Sequence, residues 1–159
     1  AKAWHQRRQE VIDQADQVWE VVDHYRARWV IEEYFKALKT GTAFTDLQHK
    51  RAETLLTALS ARAVVAWNLL RLRHLGQHMP DMMASEVLNS AQIAILRKKR
   101  PNLMPDDATA KDAMKAVAGL GGHISQNGPP GWQVLGRGWE QMTVLEDGFR
   151  LAQSLAQEM

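Results

Sequence analysis

Tyr25, Arg28, Glu32, Lys36 and Lys39 are the residues whose types and spacing could do chemistry together. They offer a carboxylate able to hold a cation, a phenol, and three basic groups able to hold an anion. On a helix advancing about 100° per residue, with Arg28 at zero, Lys39, Glu32, Tyr25 and Lys36 fall near roughly 20°, 40°, 60° and 80°. Val30, Ile31, Tyr34, Ala37 and Leu38 fall between roughly 180° and 300°, where a core-facing stripe would lie. One face packs and the other presents charge. The plain reading of such a face is a solvated surface in which Glu32 pairs with Arg28 and Lys36 at i, i+4. Periodicity alone favours that reading.

The elements that must position this face read as helices. Apolar residues recur at spacings of three and four over residues 10–24, including Val11, Ile12, Ala15, Val18, Trp19 and Val22. A second stretch over residues 25–39 follows with no Gly or Pro between, so the two can form one helix, ended by Gly41 in a left-handed turn. Residues 51–75 carry Leu55, Leu56, Leu59, Ala63, Ala66, Trp67 and Leu70 at helical spacing until Gly76 and Pro80 stop them, leaving 76–84 as a linker. Short helices are predicted over 90–98 and 108–120, the second capped by Asp106 or Asp107 and closed by Gly121 and Gly122. A loop from Asn127 to Gly131 precedes a last helix over 132–157, with Trp132, Leu135, Trp139, Met142, Leu145 and Phe149 on one stripe. Gly136 and Gly138 would let another helix approach that stripe closely. No segment alternates with period two, so the expected class is all-α.

At 159 residues the chain can hold one domain with a core, or a domain and part of another. Its composition, 45% hydrophobic and 24% charged, is that of a soluble globular protein, and no window approaches about 18 consecutive apolar residues. No membrane partner is expected, and cytoplasm is the default compartment. The first eight residues lack both Met and the apolar run of a secretion signal, and so read as a start inside a longer chain. The absence of cysteine excludes disulfides, cysteine-based zinc sites and thiol nucleophiles. A net charge of +2 is compatible with nucleic acid but too mild to argue for it, so any such case must come from placement.

The spacing supplies placement. Tyr25, two residues, Arg28, three residues, Glu32, six residues and Lys39 is similar, in every interval, to the Tyr-Arg-Glu-Lys motif of the insertion-sequence-four family of DDE transposases. The surrounding string over 25–41, YRARWVIEEYFKALKTG, also resembles that family. The resemblance continues through residues 62–72, 119–122, 138–140 and 147–149, and so covers most of the chain from about residue 14 onward.

The resemblance implies an RNase H-like core in which two aspartates and a glutamate hold two divalent ions, Mg²⁺ or Mn²⁺, for in-line attack on a DNA phosphodiester. Hard cations prefer carboxylate oxygen, and paired metals stabilise both the attacking and the leaving oxygen. Glu32 would be the catalytic, metal-binding glutamate. Arg28, Lys36 and Lys39 would meet phosphates beside the scissile bond, and Tyr25 would contact phosphate or a displaced base. Neither family aspartate has a counterpart here. Asp13, Asp16 and Asp23 match no family position and are expected to be structural. The 159 residues alone are therefore expected to bind no metal and to catalyse nothing.

Residues 1–76 are then expected to be the last helices of the catalytic core and 77–159 a helical dimerisation domain. Trp132 and Leu135 would be buried in the subunit, and part of the 139–151 surface, with Trp139, Met142, Leu145 and Phe149, would meet its mate. The implied partners are transposon-end DNA, target DNA and a second copy of the chain. A different class of function remains open: a non-catalytic module that forms mixed dimers and inhibits its parent. An unrelated helical DNA-binding protein is disfavoured, because no helix-turn-helix pattern is evident.

Two lesser features have ordinary readings. His74 and His78 have metal-pair spacing but no third ligand nearby, and read as solvated helix-end histidines. The basic run from Arg97 to Arg100 suits a helix C-terminus, where cations are favoured anyway, and is short for a nucleic-acid patch.

Overall fold

The computed structural model describes residues 15–124, 126 and 128–157. The expected helical pattern over 10–14, with Val11, Ile12 and Asp13, lies outside the described residues, as does Asn127 of the expected loop.

Among the described residues five α-helices carry the fold: α1 Ala15–Lys36, α2 Ala52–His78, α3 Ser90–Lys99, α4 Ala110–Leu120 and α5 Trp132–Gln157. A π-helical turn, Ala37–Gly41, extends α1, and short 3-10 turns stand at Phe44–Asp46, Ala84–Glu86 and Pro101–Leu103. Among the described residues there is no strand, only an isolated antiparallel bridge between Met83 and Thr109. The described residues are all-helical.

Contacts divide the chain into two compact units, one ending at Glu33 and the other beginning at Tyr34. The described part of the first unit is a single helix. Its apolar residues Val18, Trp19, Val21, Trp29, Val30 and Ile31 are exposed. Val30 and Ile31 are thus exposed and not part of a buried stripe.

The second unit has a core of its own. Ala66, Leu69, Leu70 and Leu72 of α2 and Leu135, Trp139 and Met142 of α5 are buried in one cluster with α4. On α4, Ala110, Ala113, Ala116, Val117 and Ala118 are almost free of solvent. Small side chains along α4 let the longer helices pack against it closely. Each fully buried leucine contributes on the order of 2 kcal/mol.

Glycine marks the closest approaches. A Cβ on Gly138 would lie 1.9 Å from the Val117 carbonyl oxygen, so α5 rests backbone to backbone on α4. On Gly136 it would lie 1.6 Å from the Gly41 carbonyl oxygen, so the same helix clamps the π-turn. The close partners of these glycines are within the chain.

Several expected boundaries shift for physical reasons. Gly76 does not end its helix: α2 continues to His78, and Gly76 is buried where a Cβ would meet Met114 Cβ at 2.9 Å. Residues 76–84 are accordingly tied down, with the Ala84 amide donating to the Ala108 carbonyl at 2.9 Å and the Ala110 amide to the Met82 carbonyl at 2.6 Å. The cap of α4 is Thr109 rather than Asp106 or Asp107. Thr109 Oγ1 accepts from the Asp112 amide at 3.3 Å and the Asp112 carboxylate accepts from the Thr109 amide at 3.1 Å, which closes a capping box. Gly121 and Gly122 close α4 as expected, and Gly122, at φ 89°, is left-handed.

Gly41 is not left-handed; Ala43, at φ 50°, is. The Thr42 amide donates to the Ala37 carbonyl at 3.0 Å, an i to i+5 bond, and Thr42 Oγ1 donates to the Leu38 carbonyl at 2.6 Å. A π-turn advances less per residue than an α-helix, so the wheel drawn from Arg28 loses its register beyond Lys36. Early α2 is also less buried than its spacing suggests. Leu55, Leu56 and Trp67 are exposed, and burial concentrates from Ala66 onward. By length and average hydropathy α2 alone among the described helices is long and apolar enough to cross a membrane, but Ala66, Leu69, Leu70 and Leu72 are core.

Candidate functional site

Tyr25, Arg28 and Glu32 stand on α1 in the first unit, and all three are exposed, Tyr25 at 71%. The i, i+4 pairing expected of a merely solvated face is not made. Among the described residues neither Arg28 nor Glu32 has an ion-pair or side-chain hydrogen-bond partner, while Arg26 on the same helix pairs with Asp23 at 3.4 Å. Intrahelical pairs are worth only a few tenths of a kcal/mol, so an unpaired carboxylate and guanidinium remain available to outside ligands at little cost.

Lys36 and Lys39 belong to the second unit, and both are exposed. Lys39 sits in the π-turn and lines a cleft of about 800 Å³ with Arg62 and Val65 of α2 and Arg137, Trp139 and Glu140 of α5. Composition gave no signal for this cleft. Its walls come from three separated stretches, and the close approach of Gly136 to Gly41 holds the π-turn against α5.

The stripe proposed for self-association divides. Trp139 and Met142 are buried inside the subunit, Leu145 is half-buried, and Phe149 is 38% exposed. Val144, Leu151 and Leu155 are more open.

A polar cluster that sequence reasoning missed lies on the same helix. Glu146 is only 7% exposed. Its carboxylate accepts from Asn89 Nδ2 at 3.0 Å, Gln92 Nε2 at 2.9 Å and Arg150 at 2.6 Å. Asn89 and Gln92 also form the capping box of α3, so one carboxylate locks the start of α3 onto α5. Burial pushes the Glu146 carboxyl up, but the three hydrogen bonds and the Arg150 charge outweigh it and hold the group below the usual carboxylate range. The signal was an acid within an apolar stripe, at a position where a charge must be paired.

The lesser features are ordinary. The rings of His74 and His78 lie 4.5 Å apart. Desolvation first, then the charge of His78, holds His74 below the usual histidine range. No group of three His, Cys, Asp or Glu that could hold a metal is present among the described residues. In the basic run, Arg97 donates to the Asp106 carbonyl at 2.8 Å and Arg100 to the Gly119 carbonyl, so two of the four cations hold the fold together. Arg73 lies over the Trp132 ring at 4.4 Å, joining α2 to the start of α5.

No protein-family model matches the chain.

Proposed function

We propose that this chain is the C-terminal part of a cut-and-paste DNA transposase of the insertion-sequence-four type, with Glu32 supplying the glutamate of its three-carboxylate site. The observation that carries this reading is the motif spacing from Tyr25 to Lys39, joined to an exposed helix face on which Arg28 and Glu32 pair with none of the described residues. In this reading Arg28 grips a phosphate through two oxygens, Lys36 and Lys39 meet neighbouring phosphates, and Tyr25 contacts the backbone or a displaced base. The exposed apolar residues of α1 fit the same proposal, since this helix would complete an RNase H-like core with other parts of the polypeptide.

The described residues do not by themselves fit a metal pair. Glu32 is a single carboxylate, and a hard divalent ion held for phosphoryl chemistry needs further oxygen ligands. Both aspartates would come from strands outside these 159 residues. The test is the coding sequence upstream of Ala1: two aspartates on predicted strands are expected, and their absence sinks the proposal. In the complete protein, acting in the cytoplasm on transposon-end and target DNA, Glu32→Ala should abolish strand cleavage while leaving end binding largely intact. Cleavage that survives the substitution would remove Glu32 from the site.

A second reading rests on the second unit. It has its own core and leaves Val144, Phe149, Leu151 and Leu155 exposed on α5. A product with those features and no catalytic set would act as a dimerisation or inhibitor module. Sedimentation equilibrium of the chain, with Leu151→Glu as control, tests it: a dimer abolished by the substitution favours self-association through α5, and a monomer at every concentration argues against it.

A further inference from the structure

The cleft between the π-turn, α2 and α5 holds an arrangement that the motif does not explain. Lys39, Arg62 and Arg137 converge on it from three separate segments. Arg62 is half-buried. Among the described residues none of the three cations has an ion-pair or side-chain hydrogen-bond partner, although Asp46 and Glu140 line the same cleft. A partly desolvated guanidinium without a carboxylate is a cost that an incoming anion repays. Thr40, Thr45 and Thr143 line the same cleft, so its wall offers hydroxyl donors as well as positive charge. The volume, about 800 Å³, exceeds what a single phosphate fills.

We infer that this cleft binds the phosphate backbone of a DNA duplex, with Arg62 and Arg137 as phosphate-contacting residues beyond Lys39. The inference rests on the transposase reading for the identity of the polyanion. It extends that reading by making α5 a DNA-contacting element as well as a packing one. Arg137 leaves from the helix one turn before Glu140, so a phosphate seated on Arg137 lies within the field of that carboxylate. The geometry therefore sets opposite expectations for two neighbouring residues.

The test uses the whole chain and a fluorescein-labelled 20-base-pair duplex of arbitrary sequence, followed by anisotropy across a salt series. Arg137→Gln and Arg62→Gln should each weaken binding about tenfold at low salt and reduce the salt slope by about 1. Glu140→Gln should tighten binding roughly two- to threefold, a change that damage to the fold cannot imitate. Millimolar inorganic triphosphate is expected to compete poorly; strong competition would assign the cleft to a free polyphosphate and overturn the DNA assignment. If the duplex binds and only Arg28→Ala weakens it, the cleft is not a DNA site while the transposase reading stands. If the chain binds no duplex at 50 mM salt, roughly the low end at which such contacts are strongest, the cleft inference fails. The transposase reading is then decided separately by Glu32→Ala in the complete protein.

Discussion

The first unit places its chemical groups on a helix that buries almost nothing, whereas the second buries a continuous core and leaves its cations around a cleft. On α1, Tyr25, Arg28 and Glu32 share a helix with exposed Trp19, Trp29 and Ile31. In the second unit, Leu69, Leu72, Leu135 and Met142 are nearly free of solvent. Stability and candidate chemistry are therefore unevenly distributed. A helix rich in exposed tryptophan and isoleucine is not finished as a surface, since large apolar patches mark sites of association. The second unit meets the requirement for a core alone.

The largest expected effect tests how tightly that core is closed. Gly138→Ala puts a methyl group 1.9 Å from a backbone oxygen of α4, where no side-chain rotation can relieve it. A loss of roughly 3 kcal/mol or more is expected, read as a fall in the urea midpoint. Met142→Ala should cost about 2 to 4 kcal/mol by leaving a cavity among fully buried neighbours. If either variant unfolds like the parent, the second unit is not closed around α4 and the contrast with α1 weakens.

A smaller effect carries a pH signature. Glu146→Gln keeps the shape but loses charge-assisted bonds to Asn89, Gln92 and Arg150, at a cost of about 1 to 2 kcal/mol near neutral pH. The folded carboxyl is depressed, so its contribution is fully present above the ordinary carboxylate range. It is lost as pH falls through the folded value. Parent and variant should therefore converge in urea stability as the solution is acidified. His74 is also depressed, and as a base it loses stability over a higher window, as pH falls below the ordinary histidine range. A Glu146→Gln difference that stays constant from neutral to acid pH would show that Glu146 does not hold α3 in place as a carboxylate.

Much of the second unit was legible in sequence because its signals are local. The extents of α3 and α5, and the Gly121–Gly122 stop, follow from spacing and turn residues. What was not legible depended on tertiary contact. Gly76 reads as a helix breaker, yet it is buried because α4 crosses there. Asp106 and Asp107 are as good caps as Thr109, and only the reciprocal bond with Asp112 decides among them. Leu55, Leu56 and Trp67 repeat at helical spacing, but a periodic stripe does not say how far along a helix its partner reaches. The motif residues were found by their intervals, while Arg62 and Arg137 lie 75 positions apart in sequence and share a cleft in which the π-turn is held against α5.

The smallest expected effect bears most directly on the contrast between the units. Trp19→Ser removes a large indole from α1, where Trp19 is 60% exposed. If the first unit contributes no core in this chain, the urea midpoint should move by less than the equivalent of about 0.5 kcal/mol, as for other exposed sites. A buried tryptophan would instead cost several kcal/mol. Tryptophan emission adds an independent check, since the parent should show a solvent-exposed component, shared with Trp29 and Trp67, that the variant reduces without a change in midpoint. A loss of 2 kcal/mol or more would mean that the apolar face of α1 is covered in solution, by a second copy if the midpoint also rises with protein concentration. Under the proposed reading the same substitution should become costly in the complete protein, because there α1 would have a layer to pack on.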